Sequence, residues 1–128
     1  MEVCPCGSEK LYAACCERYI SGKEKAPTSE ALMRARYTAY TKANIDYIAD
    51  TMKGKPLQGF SKKSVQVWAQ SVQWLGLQIV QVTDMEKDHG YVEFIARYRY
   101  QDREETLHEA SEFRCKNGCW YYVDGSSL

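Results

Sequence analysis

Four of the six cysteines lie within thirteen consecutive positions at the start of the chain, at Cys4, Cys6, Cys15 and Cys16. In a reducing compartment, a tight group of four thiols is typical of a metal site rather than of a disulfide framework. Four thiolates satisfy the tetrahedral preference of zinc, and soft sulfur selects zinc over magnesium or calcium. Because sulfur would fill all four positions, no place remains for water or substrate. The spacing therefore predicts structural Zn²⁺.

The residues between these cysteines also suit a compact metal-binding loop. Pro5 and Gly7 let the backbone curl so that two sulfurs two residues apart can face one ion. A short helical turn over Glu9–Ala14 is expected to bring the second pair of sulfurs to the ion. An iron–sulfur cluster is the alternative occupant, but two adjacent cysteines do not match the ferredoxin spacings. The sequence therefore favours zinc.

The composition excludes several classes of partner. At 128 residues the chain has room for one domain and a very small second unit. Lys and Arg together number 17, as do Asp and Glu, so no net field attracts nucleic acid or an anionic membrane. Polar residues interrupt the most apolar stretch of the chain, Trp74 to Val82, so no membrane-spanning segment is expected. The first residues lack the basic and apolar regions of a secretory signal. We expect a cytoplasmic protein that binds neither membrane nor nucleic acid.

The segment from Cys4 to Cys16 resembles the SEC-C motif, a zinc-binding module found at the C-terminus of the SecA translocase and in many small bacterial proteins. In the translocase this module is an interaction site for chaperone and ribosome. The resemblance therefore implies a protein partner for a zinc knuckle over residues 1–25. Glu9 departs from the motif, which usually has glycine there, and this suggests a slightly different turn.

The rest of the chain divides into a helical part and a part rich in β-branched and aromatic residues. Capping residues and apolar spacing predict three helices, at Thr28 or Ser29 to about Ala43, Ile45 to about Met52, and Ser61 to Gln73. Four strands joined by short turns are then expected at about Leu75–Asp84, Gly90–Gln101, Thr106–Cys115 and Cys119–Asp124. This order predicts an α+β fold, with N-terminal helices packed on one side of a curved four-stranded antiparallel meander.

This order of elements resembles the cystatin-like cone of the nuclear transport factor two (NTF2) superfamily. The whole chain resembles the YchJ family, which joins a SEC-C motif to such a cone. The segments that carry the likeness include Ala31–Tyr40, Trp74–Leu77, Val92–Tyr98, Leu107–Glu109, Asn117-Gly118 and Trp120–Gly125, whereas Cys119 departs from the family. The resemblance implies an NTF2-like α+β domain over residues 26–128 and indicates no reaction.

Cones of this superfamily usually form a pocket between the helices and the concave face of the sheet. Arg36 lies beside the apolar stripe of the first long helix, so its guanidinium needs a partner, for which Glu109 and Asp124 are the candidates. Arg34 is expected on the surface. His108 and Glu109 are neighbours on a strand, so only one of them can line the pocket. The candidate pocket residues are Arg36, Trp74, Tyr98, His108, Glu109, Trp120, Tyr122 and Asp124.

The two remaining cysteines, Cys115 and Cys119, flank a predicted turn. A two-residue turn at Asn117-Gly118 points the two sulfurs to opposite faces, whereas a three-residue loop would set them across from each other. We expect reduced thiols that do not bind the metal.

The sequence contains no catalytic motif that indicates a type of reaction. The leading hypothesis is a protein-interaction adaptor with a structural zinc knuckle. The alternative is a small-molecule-binding or enzymatic cone with a pocket around Arg36 and His108 or Glu109.

Overall fold

The computed structural model describes residues 2–128. Within this range the helices precede the strands, as predicted. A 3-10 turn spans Tyr12–Ala14, and the helices are α1 (Glu17–Ile20), α2 (Ser29–Thr41), α3 (Ile45–Asp50), α4 (Lys55–Gln58) and α5 (Lys62–Ser71). The strands are β1 (Gln73–Glu86), β2 (His89–Tyr100), β3 (Arg103–Lys116) and β4 (Cys119–Ser127).

Side-chain caps determine where the three longer helices begin. The side chains of Thr28, Asn44 and Ser61 each accept a hydrogen bond from the backbone amide three residues later, at the start of α2, α3 and α5. Such caps satisfy amides that the helix itself leaves unpaired. The one-turn helix α4 was not predicted, and it has Pro56 in its first turn, where the ring costs no hydrogen bond.

The sheet is a meander in the order β1-β2-β3-β4 with antiparallel neighbours. Three register shifts interrupt the pairing of β1 with β2, and one interrupts the pairing of β3 with β4. Each extra residue bends its strand and increases its twist. The sheet therefore curves, which confirms the predicted α+β cone.

The turn between β3 and β4 decides the positions of the two C-terminal cysteines. Asn117 and Gly118 have φ angles of 53° and 80°, as a two-residue type I′ turn requires. Lys116 pairs with Cys119 and Cys115 pairs with Trp120. The two thiols therefore point to opposite faces, which is the first of the two arrangements considered above.

One hydrophobic core joins the N-terminal segment to the cone. The four clustered cysteines belong to the same buried group as Leu32 and Met33 of α2, Val92 and Phe94 of β2, and Phe113 of β3. Residues on both sides of the predicted boundary at position 25 thus share one apolar interior. No helix in residues 2–128 has the length and apolar character needed to cross a membrane.

Candidate functional site

A small hairpin, residues 3–11, holds the first two cysteines. Val3 forms an antiparallel bridge with Leu11, and the amide of Cys4 donates to the carbonyl of Lys10 at 2.8 Å. Gly7 and Glu9 both have positive φ, at 83° and 69°, and they form the turn. The predicted helical turn over Glu9–Ala14 is corrected here. Its first half pairs with the opposite side of the hairpin, and only the second half is helical.

The 3-10 turn and the start of α1 bring the second pair of cysteines to the same place. The four Sγ atoms all lie within 4.8 Å of one another, and all four residues are buried. The Sγ of Cys15 is 3.7 Å from the Sγ of Cys6 and 3.9 Å from the Sγ of Cys16. Tetrahedral zinc with bonds of about 2.3 Å separates its sulfurs by about 3.8 Å. The cluster therefore fits one metal ion of this kind.

The thiols of the cluster differ in how readily they lose their protons. A hydrogen bond with the Cys16 side chain lowers the pKa of Cys6 to about 4, and the same interaction together with burial raises the pKa of Cys16. Burial likewise raises the pKa of Cys15. Four thiolates in this small buried volume need a positive charge among them, because unpaired buried charge is very costly.

Helix α2 anchors the hairpin. Arg34 donates from Nη1 to the Cys6 carbonyl at 2.7 Å and from Nε to Glu30 at 3.0 Å. Lys42 pairs with Glu2 at 2.7 Å across the surface. Arg34 was expected on the surface, but its side chain is 23% exposed and lies over the metal-binding loop. Sequence spacing did not reveal this contact because it joins residues 28 positions apart.

A second candidate site lies inside the cone, between the helices and one face of the sheet. The cavity has a volume of about 230 Å³. Its lining is mostly aromatic and comprises Met33, Arg36, Tyr37, Tyr40, Trp68, Trp74, Phe94, Ala96, Leu107, Glu109, Ser111, Phe113 and Tyr122. Four of the eight predicted pocket residues, Arg36, Trp74, Glu109 and Tyr122, thus meet around one cavity.

The other four predicted pocket residues lie outside the lining. His108 and Glu109 project from opposite faces of β3. The Nε2 atom of His108 lies 2.6 Å from Oε2 of Glu93. Asp124 pairs across the strands with Glu112, on that same outer face. Tyr98 packs its ring behind Trp74, at 5.8 Å between centroids. Strand register, which the sequence left open, corrects the assignments of His108 and Asp124. Tyr98 is on the same face of β2 as Phe94 and Ala96, and its assignment is corrected because it lies outside the cavity lining.

Trp120 also lies away from the cavity. Its indole Nε1 donates to the Pro27 carbonyl at 3.2 Å, and its ring lines a separate surface groove with Tyr19 and Tyr121. The pocket assignment of Trp120 is corrected for that reason.

Arg36 is 5% exposed, and it does not pair with either predicted carboxylate. Its Nη1 donates to the Ile48 carbonyl at 2.9 Å and to Thr51 Oγ1 at 2.7 Å. The ring of Tyr122 lies 4.8 Å from the guanidinium carbon. The carboxyl end of α3, which carries partial negative charge, therefore takes the place expected of Glu109 or Asp124. Burial lowers the pKa of Arg36, although a guanidinium stays protonated in proteins.

Glu109 lies in the cavity wall beside Tyr122. Burial raises the pKa of the Glu109 carboxyl. A Cβ atom placed on Gly125 would lie 2.6 Å from the Tyr122 hydroxyl and 3.6 Å from Glu109 Oε1. Gly125 therefore leaves room for both oxygens at the same end of the pocket.

Sequence reasoning missed much of the aromatic wall, above all Tyr40 and Trp68. The rings of Trp68 and Trp74 are 5.4 Å apart, and Tyr40 lies 6.2 Å from Trp68. Both residues lie on the apolar sides of predicted helices, which was the available signal. Nothing in helical spacing shows that α5 brings Trp68 to the cavity.

Comparison with known proteins agrees with both halves of this architecture. A family described as "YchJ, middle NTF2-like domain" matches residues 28–125, and the SEC-C motif matches residues 2–18. The class of protein is therefore a SEC-C motif joined to an NTF2-like domain. The chain belongs to the YchJ family.

Relatives named UPF0225 proteins resemble this chain along nearly its whole length. One from Geobacter sulfurreducens is 45% identical over 98% of this chain and 80% of its own length. Another, from Enterobacter sp. (strain 638), is 35% identical over 98% of this chain and 83% of its own.

Solved structures share the fold. The solution structure of a SEC-C motif containing protein from Rhodopseudomonas palustris superimposes with a TM-score of 0.90 at 34% identity, covering 99% of both chains. A ketosteroid isomerase-like protein from Erwinia carotovora atroseptica has a TM-score of 0.54 at 18% identity, over 82% of this chain and 97% of its own. The second likeness concerns the fold alone.

Proposed function

We propose that the four clustered cysteines bind one zinc ion and that the ion is structural. The observation that carries this proposal is the convergence of four buried sulfurs within 4.8 Å. With sulfur in every position, zinc has no open site for water or substrate, so it would organise the hairpin and take no part in a reaction. A reducing compartment such as the cytoplasm would keep the thiols available to the metal.

Elemental analysis tests the zinc proposal. Protein purified under reducing conditions without added metal is expected to contain one zinc per chain, since a preorganised tetrathiolate site binds zinc tightly. Protein with Cys6 replaced by serine is expected to contain well under one. Iron in place of zinc, or no stoichiometric metal in freshly reduced protein, would contradict the proposal.

We also propose that the zinc-bound hairpin docks a protein partner, as the SEC-C resemblance implies. Its outer side presents two adjacent apolar residues, Val3 and Leu11, which are 58% and 36% exposed. Within residues 1–25, four lysine and arginine side chains are balanced by four glutamates, so the segment suits a protein partner rather than a phosphate backbone.

In-cell cross-linking tests this docking surface. Replacing Val3 and Leu11 by serine is expected to remove specific cross-linked species, since the apolar centre of a small interface carries most of its affinity. Val67→Ser is the matched control, because Val67 is 62% exposed on α5, away from the hairpin. Identical cross-linked species in both variants would rule out the hairpin as the docking surface.

The second candidate function is binding of a small molecule in the cone. The observation that favours it is the 230 Å³ cavity, which has aromatic walls and a buried guanidinium. Pockets with mostly apolar walls and a few polar groups are the usual form of ligand sites.

A further inference from the structure

The cone pocket contains a positive charge that lacks a negative partner. No carboxylate in residues 2–128 forms an ion pair with Arg36, although its side chain is buried. Its contacts are a carbonyl, the hydroxyl groups of Thr51 and Tyr40, and the ring of Tyr122. A buried cation without a counter-ion is costly, and an anion entering the pocket would reduce that cost.

The guanidinium also has more N–H donors than it has hydrogen-bond partners in the protein. Its two short hydrogen bonds both come from Nη1, and the guanidinium also hydrogen-bonds the Tyr40 side chain. The side chain forms part of the cavity wall. A guanidinium presents its N–H groups as a planar fork that matches the two oxygens of a carboxylate.

The remaining walls suit a flat apolar group. Trp68 and Trp74 meet edge to face at 84°, and Tyr40 closes against both rings. Aromatic rings pack favourably with one another in such offset and edge-to-face arrangements. A cavity of about 150 Å³ accommodates benzene. The volume of about 230 Å³ therefore has room for one six-membered ring with a short acidic arm.

We propose that the cone pocket binds a small aromatic carboxylate, with its carboxylate on Arg36 and its ring among Tyr40, Trp68 and Trp74. This inference rests on the proposal that the cone is a ligand site, and it adds the chemical class of the ligand. One guanidinium matches a single negative charge. The small volume and apolar walls exclude nucleotides.

Glu109 is compatible with an anionic ligand. Burial raises the pKa of its carboxyl, so Glu109 is protonated over a wider pH range than an exposed glutamate. In the protonated form the carboxyl can donate a hydrogen bond to an anion. Glu109→Gln keeps such a donor and removes the negative charge, so it is expected to bind an anion at least as tightly as the unmodified chain does.

A matched pair of probes tests the inference on the unmodified chain. Phenylacetate and phenylacetamide have nearly the same shape and differ in charge. In a nuclear magnetic resonance titration of the ¹⁵N-labelled protein, both should shift the indole signals of Trp68 and Trp74. The indole signal of Trp120, outside the pocket, serves as internal control. Phenylacetate should bind at least about tenfold more tightly, as expected for hydrogen bonds to a charged group.

The outcomes separate the two proposals. Equal affinity for the two probes would overturn recognition by charge and would leave the pocket as a ligand site. Shifts confined to Trp120, or no shift with either probe at millimolar concentration, would overturn both. Arg36→Gln should abolish the preference for phenylacetate and Glu109→Gln should retain it. If Arg36→Gln does not fold, the comparison of the two probes still decides the matter.

Discussion

Replacing Cys16 by serine is expected to destabilise the whole chain, including the cone. Cys16 is 1% exposed and lies in the same core as Leu32 and Phe113. The variant would lose the proposed zinc ion together with the order of the hairpin that packs on α2. Structural zinc supplies about 10–16 kcal/mol of apparent binding free energy in small peptides, so a loss on the order of 5 kcal/mol in unfolding free energy is expected.

Denaturation with guanidinium chloride, followed by tryptophan fluorescence, measures this loss, because Trp68 and Trp74 line the cone cavity and report on its unfolding. Cys119→Ser is the matched control, since Cys119 is half-buried next to the turn between β3 and β4. We expect the control to unfold at the same midpoint as the unmodified chain. Equal midpoints for Cys16→Ser and Cys119→Ser would show that the cluster does not stabilise the cone.

Helix α2 explains why an effect at the hairpin should reach the pocket. One side of the helix contacts the metal-binding loop through Arg34 and places Thr38 Oγ1 3.7 Å from the Cys4 sulfur. Another side supplies Arg36 and Tyr40 to the cavity. A shift of the helix would therefore move residues at both places. The same packing argues against regarding the hairpin as a freely attached module.

Features encoded by short stretches of sequence were predictable. The caps at Thr28 and Asn44, the turn at Asn117-Gly118 and the spacing of the four cysteines each act within a few residues. These local features predict the order of the helices and strands, and they predict which four cysteines form the cluster.

Features that depend on how distant segments meet were not predictable in the same way. Arg36 was expected to need a buried partner, but the partner is the end of α3 rather than a carboxylate. Strand alternation predicts that His108 and Glu109 point to opposite faces of the sheet. Which of the two faces is buried depends on where the helices pack, and the helices cover the face that carries Glu109. On β3 the inward residues include Glu109 and Ser111, so hydrophobicity alone does not identify the inner face.

The close approach of Gly7 to the sheet gives a sharper test of how the hairpin docks. A Cβ atom on Gly7 would lie 2.9 Å from the carbonyl oxygen of Leu77 in β1, which is too short for van der Waals contact. Gly7 also has a φ of 83°, which disfavours any side chain. Gly7→Ala therefore combines backbone strain with a clash against another backbone. We expect a loss of about 3 kcal/mol in unfolding free energy.

Gly22→Ala separates these two contributions. Gly22 has a nearly identical φ of 85°, but a Cβ there meets no atom within 4 Å. Its replacement should cost only the strain of the left-handed conformation, about 1 kcal/mol. The difference between the two variants in denaturant unfolding therefore measures the contact between hairpin and sheet. If Gly7→Ala cost no more than Gly22→Ala, the hairpin would not be held against β1, and its coupling to the cone would depend on α2 alone.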